Sequence, residues 1–115
     1  NFEFNCIGTV NASHRVTRNN PTRLTDDEIS TIRRYASCGT RPFEEMEGVF
    51  AWNLTVAIPF RLVGLDATNL PEYILGNFYK CGAKMSLPHY LSWAPIDTPA
   101  PDFHRPEFFG KINFI

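Results

Sequence analysis

Polar and aromatic side chains alternate along residues 74–81, where the pattern predicts a β-strand. Asn77 and Tyr79 would share one face of this strand, and Gly76 beside them would let a ligand or another backbone come close. Trp93 ends a further predicted strand just before a proline-rich loop, where an indole can project at the rim. An aromatic ring that stacks on the apolar face of a sugar, with amides that meet its hydroxyl groups, is the chemistry such a set offers. The alternatives are that Asn77 closes a turn, Tyr79 packs and Trp93 enters the core.

Residues that could carry out catalysis are not gathered into a local motif. The sequence has no nucleophile beside a base, no cluster of metal ligands and no glycine loop for phosphate, and its three histidines are far apart. Glu44, Glu45 and Glu47 could in principle supply a carboxylate pair for glycoside hydrolysis, but a solvated acidic turn is the better interpretation. The sequence therefore favours a binding protein over an enzyme.

Composition and charge exclude several classes of partner. The 115 residues are 43% hydrophobic, which is enough for one domain, and the 11 Lys and Arg are balanced by 12 Asp and Glu without a continuous basic stripe. Nucleic acid is thus not expected, and no apolar run approaches the roughly 20 residues of a membrane span. Cys6, Cys38 and Cys81 match no zinc spacing, so we predict free thiols, with one bridge and an odd thiol as the alternative.

The first half of the chain predicts one helix and one long strand. Thr25 and Glu28 form a capping box that predicts a short helix over residues 26–36, with the pair Arg33-Arg34 on its solvated side. Residues 49–58 alternate so that one face is apolar, which predicts a strand with Trp52 in the core. Pro59 would end this strand, and residues 59–64 predict a single helical turn.

The remaining segments predict short strands separated by loops. Residues 11–20 and the proline-rich residues 94–106 predict loops, whereas residues 74–81, 88–93 and 111–115 predict strands. Residues 1–7 alternate as well, so the chain begins and ends within strands, and we expect part of the domain to lie upstream. About five strands, one short helix and no βαβ rhythm predict an all-β, antiparallel sandwich.

Three stretches in order resemble the C-terminal part of the family 9 carbohydrate-binding modules and of family-9-like domains from gut-type Bacteroidetes. They are ILGNFYK at 74–80, YLSWAP at 90–95 and DFHRPEFFGKI at 102–112. Residues 52–59 and 1–8 resemble earlier strands of the same family, so the resemblance spans nearly the whole chain. It implies a jelly-roll-like β-sandwich of roughly twice this length, with residues 1–115 as a single domain that forms its C-terminal half.

The resemblance also implies five site residues. In better-characterised members two tryptophans clamp a terminal sugar, and Trp93 matches one of them, whereas the second would lie upstream. Asn77 and Tyr79 match an Asn and a Gln on the neighbouring strand, and Asn5 matches an Asn on an earlier one. Glu3 stands where those members carry an Arg.

The function implied is non-catalytic binding of oligo- or polysaccharide ends during breakdown of plant-type polysaccharides, by a bacterial protein in the periplasm or outside the cell. The alternative is a structural or assembly module that has lost the sugar site. No cofactor is expected; structural calcium is allowed by the resemblance, but no metal ligands can be named. Because half a sandwich leaves the apolar face of residues 49–58 uncovered, we expect a homodimer or a partner chain that supplies the other half.

Overall fold

The computed structural model describes all residues from Asn1 to Ile115 and divides into two compact units. Unit 1 is Asn1–Ala67 and unit 2 is Thr68–Ile115. Every paired strand is antiparallel, and a single five-residue α-helix is the only α-helix. The predicted all-β, antiparallel class is confirmed.

Unit 1 contains a three-stranded sheet, a short helix and a two-stranded pair. Its sheet has the order β1-β2-β3, the helix α1 follows, and β4 then pairs with β5. The elements are β1 (Phe2–Phe4), β2 (Val10–His14), β3 (Thr22–Arg23), α1 (Asp26–Ser30), β4 (Arg33–Ala36) and β5 (Leu54–Ala57). A single 3-10 turn, Phe60–Val63, closes with Gly64 at a φ of 74°, which confirms the helical turn predicted after Pro59.

The core of unit 1 lies between its two sheets and the helix. Val10 and Ala12 from β2 are buried together with Ile32, which follows the helix. Partly buried apolar side chains from β1, α1, β5 and the loops pack against them: Phe2, Phe4, Leu24, Ile29, Val56, Ile58 and Leu62. Sheet faces that share a core in this way form a small sandwich.

The loop predicted for residues 11–20 is wrong in its first part, because β2 extends to His14. Val10 and Ala12 point inward while Asn11 is exposed, so the segment does alternate. The small side chain of Ala12 and the polar residues on either side hide this alternation in the sequence.

The helix is shorter than predicted and ends at Ser30. Thr25 caps it as expected: its hydroxyl accepts from the Glu28 N–H at 3.1 Å, and the Glu28 carboxylate accepts from the Thr25 N–H at 3.0 Å. Arg33 and Arg34 are not helical but begin β4, where Arg33 pairs with Ala57. A longer helix would also have satisfied the backbone groups of these residues. In this chain they form hydrogen bonds with β5 instead.

The strand predicted for residues 49–58 is confined to Leu54–Ala57, and the prediction that Trp52 lies in the core is wrong. Trp52 is 44% exposed, and Phe50 is 58% exposed. The ladder to β4 ends where Ala36 meets Leu54, apart from one bond from the Ser37 N–H to the Asn53 carbonyl at 2.9 Å. Residues 49–52 have no partner strand in unit 1, so their alternation does not produce a buried face.

Unit 2 consists of two separate antiparallel pairs. These pairs are β6 (Tyr73–Gly76) with β9 (Gly110–Asn113), and β7 (Tyr79–Cys81) with β8 (Tyr90–Ser92). The single strand predicted for residues 74–81 is therefore wrong, because the chain leaves one pair and joins the other at Asn77 and Phe78. The predicted loop of residues 94–106 is confirmed up to the 3-10 turn Pro106–Phe108.

Candidate functional site

Trp93 lies at the end of β8 and presents much of its indole to solvent, with 55% of the residue exposed. Its N–H donates to the Phe78 carbonyl at 2.8 Å, which fixes the backbone of the two residues side by side. The rings of Phe78 and Trp93 meet edge to face, with centroids 5.7 Å apart and planes 67° apart. Since Phe78 is also 61% exposed, the two rings form an open aromatic surface.

Gly110, at the start of β9, lets the indole lie close to the backbone. A Cβ atom at Gly110 would stand 2.6 Å from Cζ3 of Trp93 and 3.0 Å from its Cη2, both far inside van der Waals contact. Glycine is therefore required for this position of the ring. One edge of the indole lies against β9, and the rest of the ring is exposed to solvent. A binding platform needs both features.

The Asn77 side chain is committed to the backbone beside Trp93. Its Oδ1 accepts from the N–H groups of Phe78 at 2.9 Å and Ala94 at 2.8 Å, and its Nδ2 donates to the Ala94 carbonyl at 3.0 Å. An asparagine amide offers two lone pairs and two N–H groups; both lone pairs and one N–H are used by this backbone, and the amide also lies near the Tyr79 hydroxyl. Asn77 is thus first a residue that positions Trp93, and its contact with a sugar stays a prediction.

Tyr79 packs in an aromatic cluster instead of facing solvent. Its ring stacks on Phe103 with centroids 4.3 Å apart and planes 12° apart, and Tyr90 meets Phe103 edge to face at 6.2 Å. The Tyr79 hydroxyl is buried without a hydrogen-bond partner of ordinary geometry. Burial raises the pKa of Tyr79, and the nearby Asn77 amide opposes that shift. Its role as a sugar contact also stays a prediction.

Glu3 and Asn5 belong to unit 1, whereas the other three predicted site residues belong to unit 2. The Glu3 carboxylate accepts from the Nδ2 groups of Asn1 at 3.1 Å and Asn11 at 3.3 Å. The Asn5 Oδ1 accepts from the N–H groups of Ile7 and Thr9, which closes the turn between β1 and β2. Both side chains are exposed, and Asn5 has a clear structural task.

A shallow groove of about 280 Å³ lies on unit 2, lined by Tyr90, Ile96 and residues 98–103. The loop that forms it is followed by an ion-paired segment, in which Arg105 donates to Asp102 at 2.9 Å and to Glu107 at 3.0 Å. The backbone N–H of Glu107 itself and then Arg105 lower the pKa of the Glu107 carboxyl. These bonds fix the local shape of residues 102–107, and the contact of Phe103 with Tyr90 places the loop beside β8.

Sequence reasoning missed three residues of this region: Phe78, Phe103 and Gly110. Phe78 appeared to face away from Asn77 and Tyr79 on a continuous strand, and only the break between β6 and β7 turns it toward Trp93. Gly110 carries a weak signal, a glycine at the start of a strand, which often marks a close approach.

No group of three or more His, Cys, Asp or Glu side chains comes together as a metal site would require. Structural calcium, which the family resemblance allows, is untested. No helix in the structure combines the length and apolar character needed to cross a membrane.

Antiparallel strands and an exposed aromatic pair place the chain in the class of small all-β domains. Within that class, residues 1–114 match the model of carbohydrate-binding family 9, and the chain belongs to this family. The crystal structure of a "putative carbohydrate-binding protein" from Bacteroides uniformis ATCC 8492 superposes with a TM-score of 0.90 at 34% sequence identity. The match covers 99% of the chain and 53% of that protein, so the chain spans about half its length. No curated protein matches the chain significantly.

Proposed function

We propose that the chain binds the sugar units of an oligo- or polysaccharide without transforming them, and that Trp93 is the stacking residue. The observation that carries this proposal is the exposed edge-to-face pair of Trp93 and Phe78 in a member of carbohydrate-binding family 9. A pyranose ring has an apolar face that stacks on an indole, and its hydroxyl groups require polar neighbours. Gly110 and Asn77 hold the platform before any sugar arrives, which lowers the ordering entropy lost on binding.

Membership of carbohydrate-binding family 9 supports a proposal about the biological setting. We infer that the ligands are ends of plant-type polysaccharide chains and that the protein works in glycan degradation, in the periplasm or outside a bacterial cell. Glu44, Glu45 and Glu47 are exposed in a segment without helix or strand, as expected of a solvated acidic turn. A release assay on polysaccharide checks the non-catalytic assignment: new reducing ends above a heat-denatured control would contradict it.

Titration calorimetry with xylo-, cello- and mannooligosaccharides tests the binding function. We expect Trp93→Ala to weaken binding of the preferred sugar by about 1–3 kcal/mol, the loss typical of an anchoring aromatic residue. Trp52→Ala is the matched control, because Trp52 is also exposed but lies in unit 1.

Each outcome of this titration is informative. A wild-type protein that binds no glycan would favour a structural or assembly module that has lost the sugar site. Unchanged affinity in a folded Trp93→Ala protein would move the site elsewhere. Lost binding in a stable Trp52→Ala protein would mean that the other tryptophan is the platform.

We further propose that the chain associates through its exposed apolar segment, with a second copy or with a chain that supplies the other half of a longer sandwich. Val56 and Ile58 pack in unit 1, but Val49, Phe50 and Trp52 do not, and Val49 is fully exposed. Burying a large apolar side chain is worth about 1.5–3 kcal/mol, so covering this segment would contribute substantially to stability.

A further inference from the structure

Two turns of unit 1 lie against each other and each carries a cysteine. The turn between β1 and β2 contains Cys6, and the turn after β4 contains Cys38. Arg34 of β4 donates from its guanidinium to the Gly8 carbonyl at 2.9 Å, which joins the two regions. A cavity of about 390 Å³ lies between them, lined by residues 7–9 on one side and by Arg34, Ala36 and Thr40 on the other.

The local hydrogen bonds hold both turns in shape. The Asn5 side chain and carbonyl bind the backbone of residues 7–9, and the Gly39 N–H donates to the Ala36 carbonyl at 3.1 Å. Next to Cys38, the Asn53 N–H donates to the Ser37 hydroxyl at 2.8 Å. The positions of Cys6 and Cys38 are therefore set by fixed backbone and not by free termini.

Across the two turns, Cys38 lies near enough to act electrostatically on the Cys6 thiol. Burial, followed by the proximity of Cys38, raises the pKa of the Cys6 thiol. Both cysteines are free thiols; Cys6 is half-buried and Cys38 is exposed, so an oxidant in solution reaches Cys38 first. Cys81 is also free and exposed, but it belongs to unit 2.

We propose that Cys6 and Cys38 are a redox-active pair that forms a disulfide when the chain meets a small-molecule disulfide such as oxidised glutathione. The Cys38 thiolate attacks one sulfur of the oxidant, and a mixed disulfide forms as one glutathione thiolate leaves. The Cys6 thiolate then attacks the Cys38 sulfur and expels the second glutathione. The protein loses two electrons and two protons, and one oxidised glutathione becomes two reduced ones.

The bridge would fasten the turn between β1 and β2 to the end of β4. It would close a loop that contains β2, β3, α1 and β4, and a closed loop restricts the unfolded chain. We therefore expect the bridge to raise the melting temperature of the oxidised protein. Disulfides persist in the periplasm and outside cells, so the pair would be oxidised in an exported protein and reduced in a cytosol.

The test compares the folded protein in reduced and in oxidised glutathione buffers, using Cys81→Ser as the background so that only the pair remains. Intact mass and non-reducing peptide mapping then report which cysteines are joined. We expect a monomeric product with a peptide that links Cys6 to Cys38, a higher melting temperature than the reduced form, and reversal by a reductant. Cys6→Ser and Cys38→Ser in the same background should give only glutathione adducts or dimers through the remaining thiol.

Two results would overturn the proposal. One is a Cys81→Ser protein that keeps two free thiols after oxidation, while unfolded protein in the same buffer forms the bridge. The other is oxidation that yields only mixed disulfides or links between chains. The assay uses no carbohydrate, so its outcome is independent of the sugar-binding proposal.

Discussion

Asn77 shows that a polar residue on a predicted binding strand can be occupied by its own backbone. We expect Asn77→Ala to lower the free energy of unfolding by about 1–3 kcal/mol, because it removes three hydrogen bonds and leaves partly buried backbone groups of Ala94 unpaired. Urea denaturation measures this loss, and Asn113→Ala, at an exposed position of β9, is the control. A fully stable Asn77→Ala protein with weakened sugar affinity would instead indicate a direct contact.

The glycine pair across β6 and β9 gives a sharper test of the platform. Gly76 faces Gly110 in the ladder, but a Cβ at Gly76 would meet only the terminal Cδ1 of Ile112, at 2.8 Å, whereas a Cβ at Gly110 would meet the rigid Trp93 ring. We expect Gly110→Ala to displace the indole and weaken sugar binding at least several-fold, while Gly76→Ala leaves affinity near wild type. Equal affinity of both variants, measured by titration calorimetry, would show that the ring position does not matter.

At the level of residues, the sequence predicts whether a side chain is buried or exposed only where neighbouring residues in the sequence determine it. The exposure of Trp93 follows from a position just before a stiff loop, and it was predicted. The exposure of Trp52 depends on which segment its strand pairs with, and alternation alone does not contain that information. The contact of Phe78 with Trp93 depends on a break in a strand, which is likewise set by tertiary pairing.

Among the elements, helix α1 should have a stability that depends on pH, because its capping box includes an ionisable carboxyl group. The Thr25 N–H, followed by the Thr25 hydroxyl, lowers the pKa of the Glu28 carboxyl below its ordinary 4.5. A depressed pKa in the folded state adds stability above the unfolded pKa, and this is lost as the pH falls through the folded pKa. We therefore expect the stability difference between wild type and Glu28→Gln to be largest above a pH of about 4.5 and to shrink in more acidic buffers.

Thermal melts of both proteins across this pH range measure the effect. Glutamine keeps the geometry of a capping box, so the comparison isolates the carboxylate charge. In a Thr25→Ala background the same difference should be smaller, because one of the two hydrogen bonds to the carboxylate is gone. A difference that is constant with pH would show that the cap does not favour the ionised form.

The beginnings of elements were easier to predict than their ends. Thr25 and Glu28 mark the helix start directly, but its end depends on β4 pairing with β5 from Arg33 onward. In the same way, residues 74–81 read as one strand although the chain changes partner after Gly76. Periodicity reports which face of a segment is apolar and does not report how many neighbours it pairs with.

For the whole molecule, the exposed apolar segment predicts association in solution. Light scattering coupled to size exclusion at micromolar concentration should give a mass above that of the monomer, and Phe50→Asp should shift it toward the monomer. Val16→Asp is the control, because Val16 is also a highly exposed apolar residue of unit 1 but lies outside that segment. A wild-type monomer that melts cooperatively would contradict both the association and the half-sandwich interpretation.

The family was predictable because three motifs occur in the right order, which individual segments could not show. The all-β class followed from short alternating segments and the absence of a βαβ rhythm. The division at Ala67 was not predicted, since no proline- or glycine-rich linker marks it in the sequence.

The chain has two tryptophans, and this division assigns one to each unit: Trp52 to unit 1 and Trp93 to unit 2. Intrinsic fluorescence therefore carries a separate optical reporter for each unit. In a Trp52→Phe protein only Trp93 remains, and its emission reports the binding platform. In a Trp93→Phe protein only Trp52 remains, and its emission reports the apolar segment. Quenching by acrylamide would then follow sugar occupancy in one single-tryptophan protein and chain association in the other, without any attached dye.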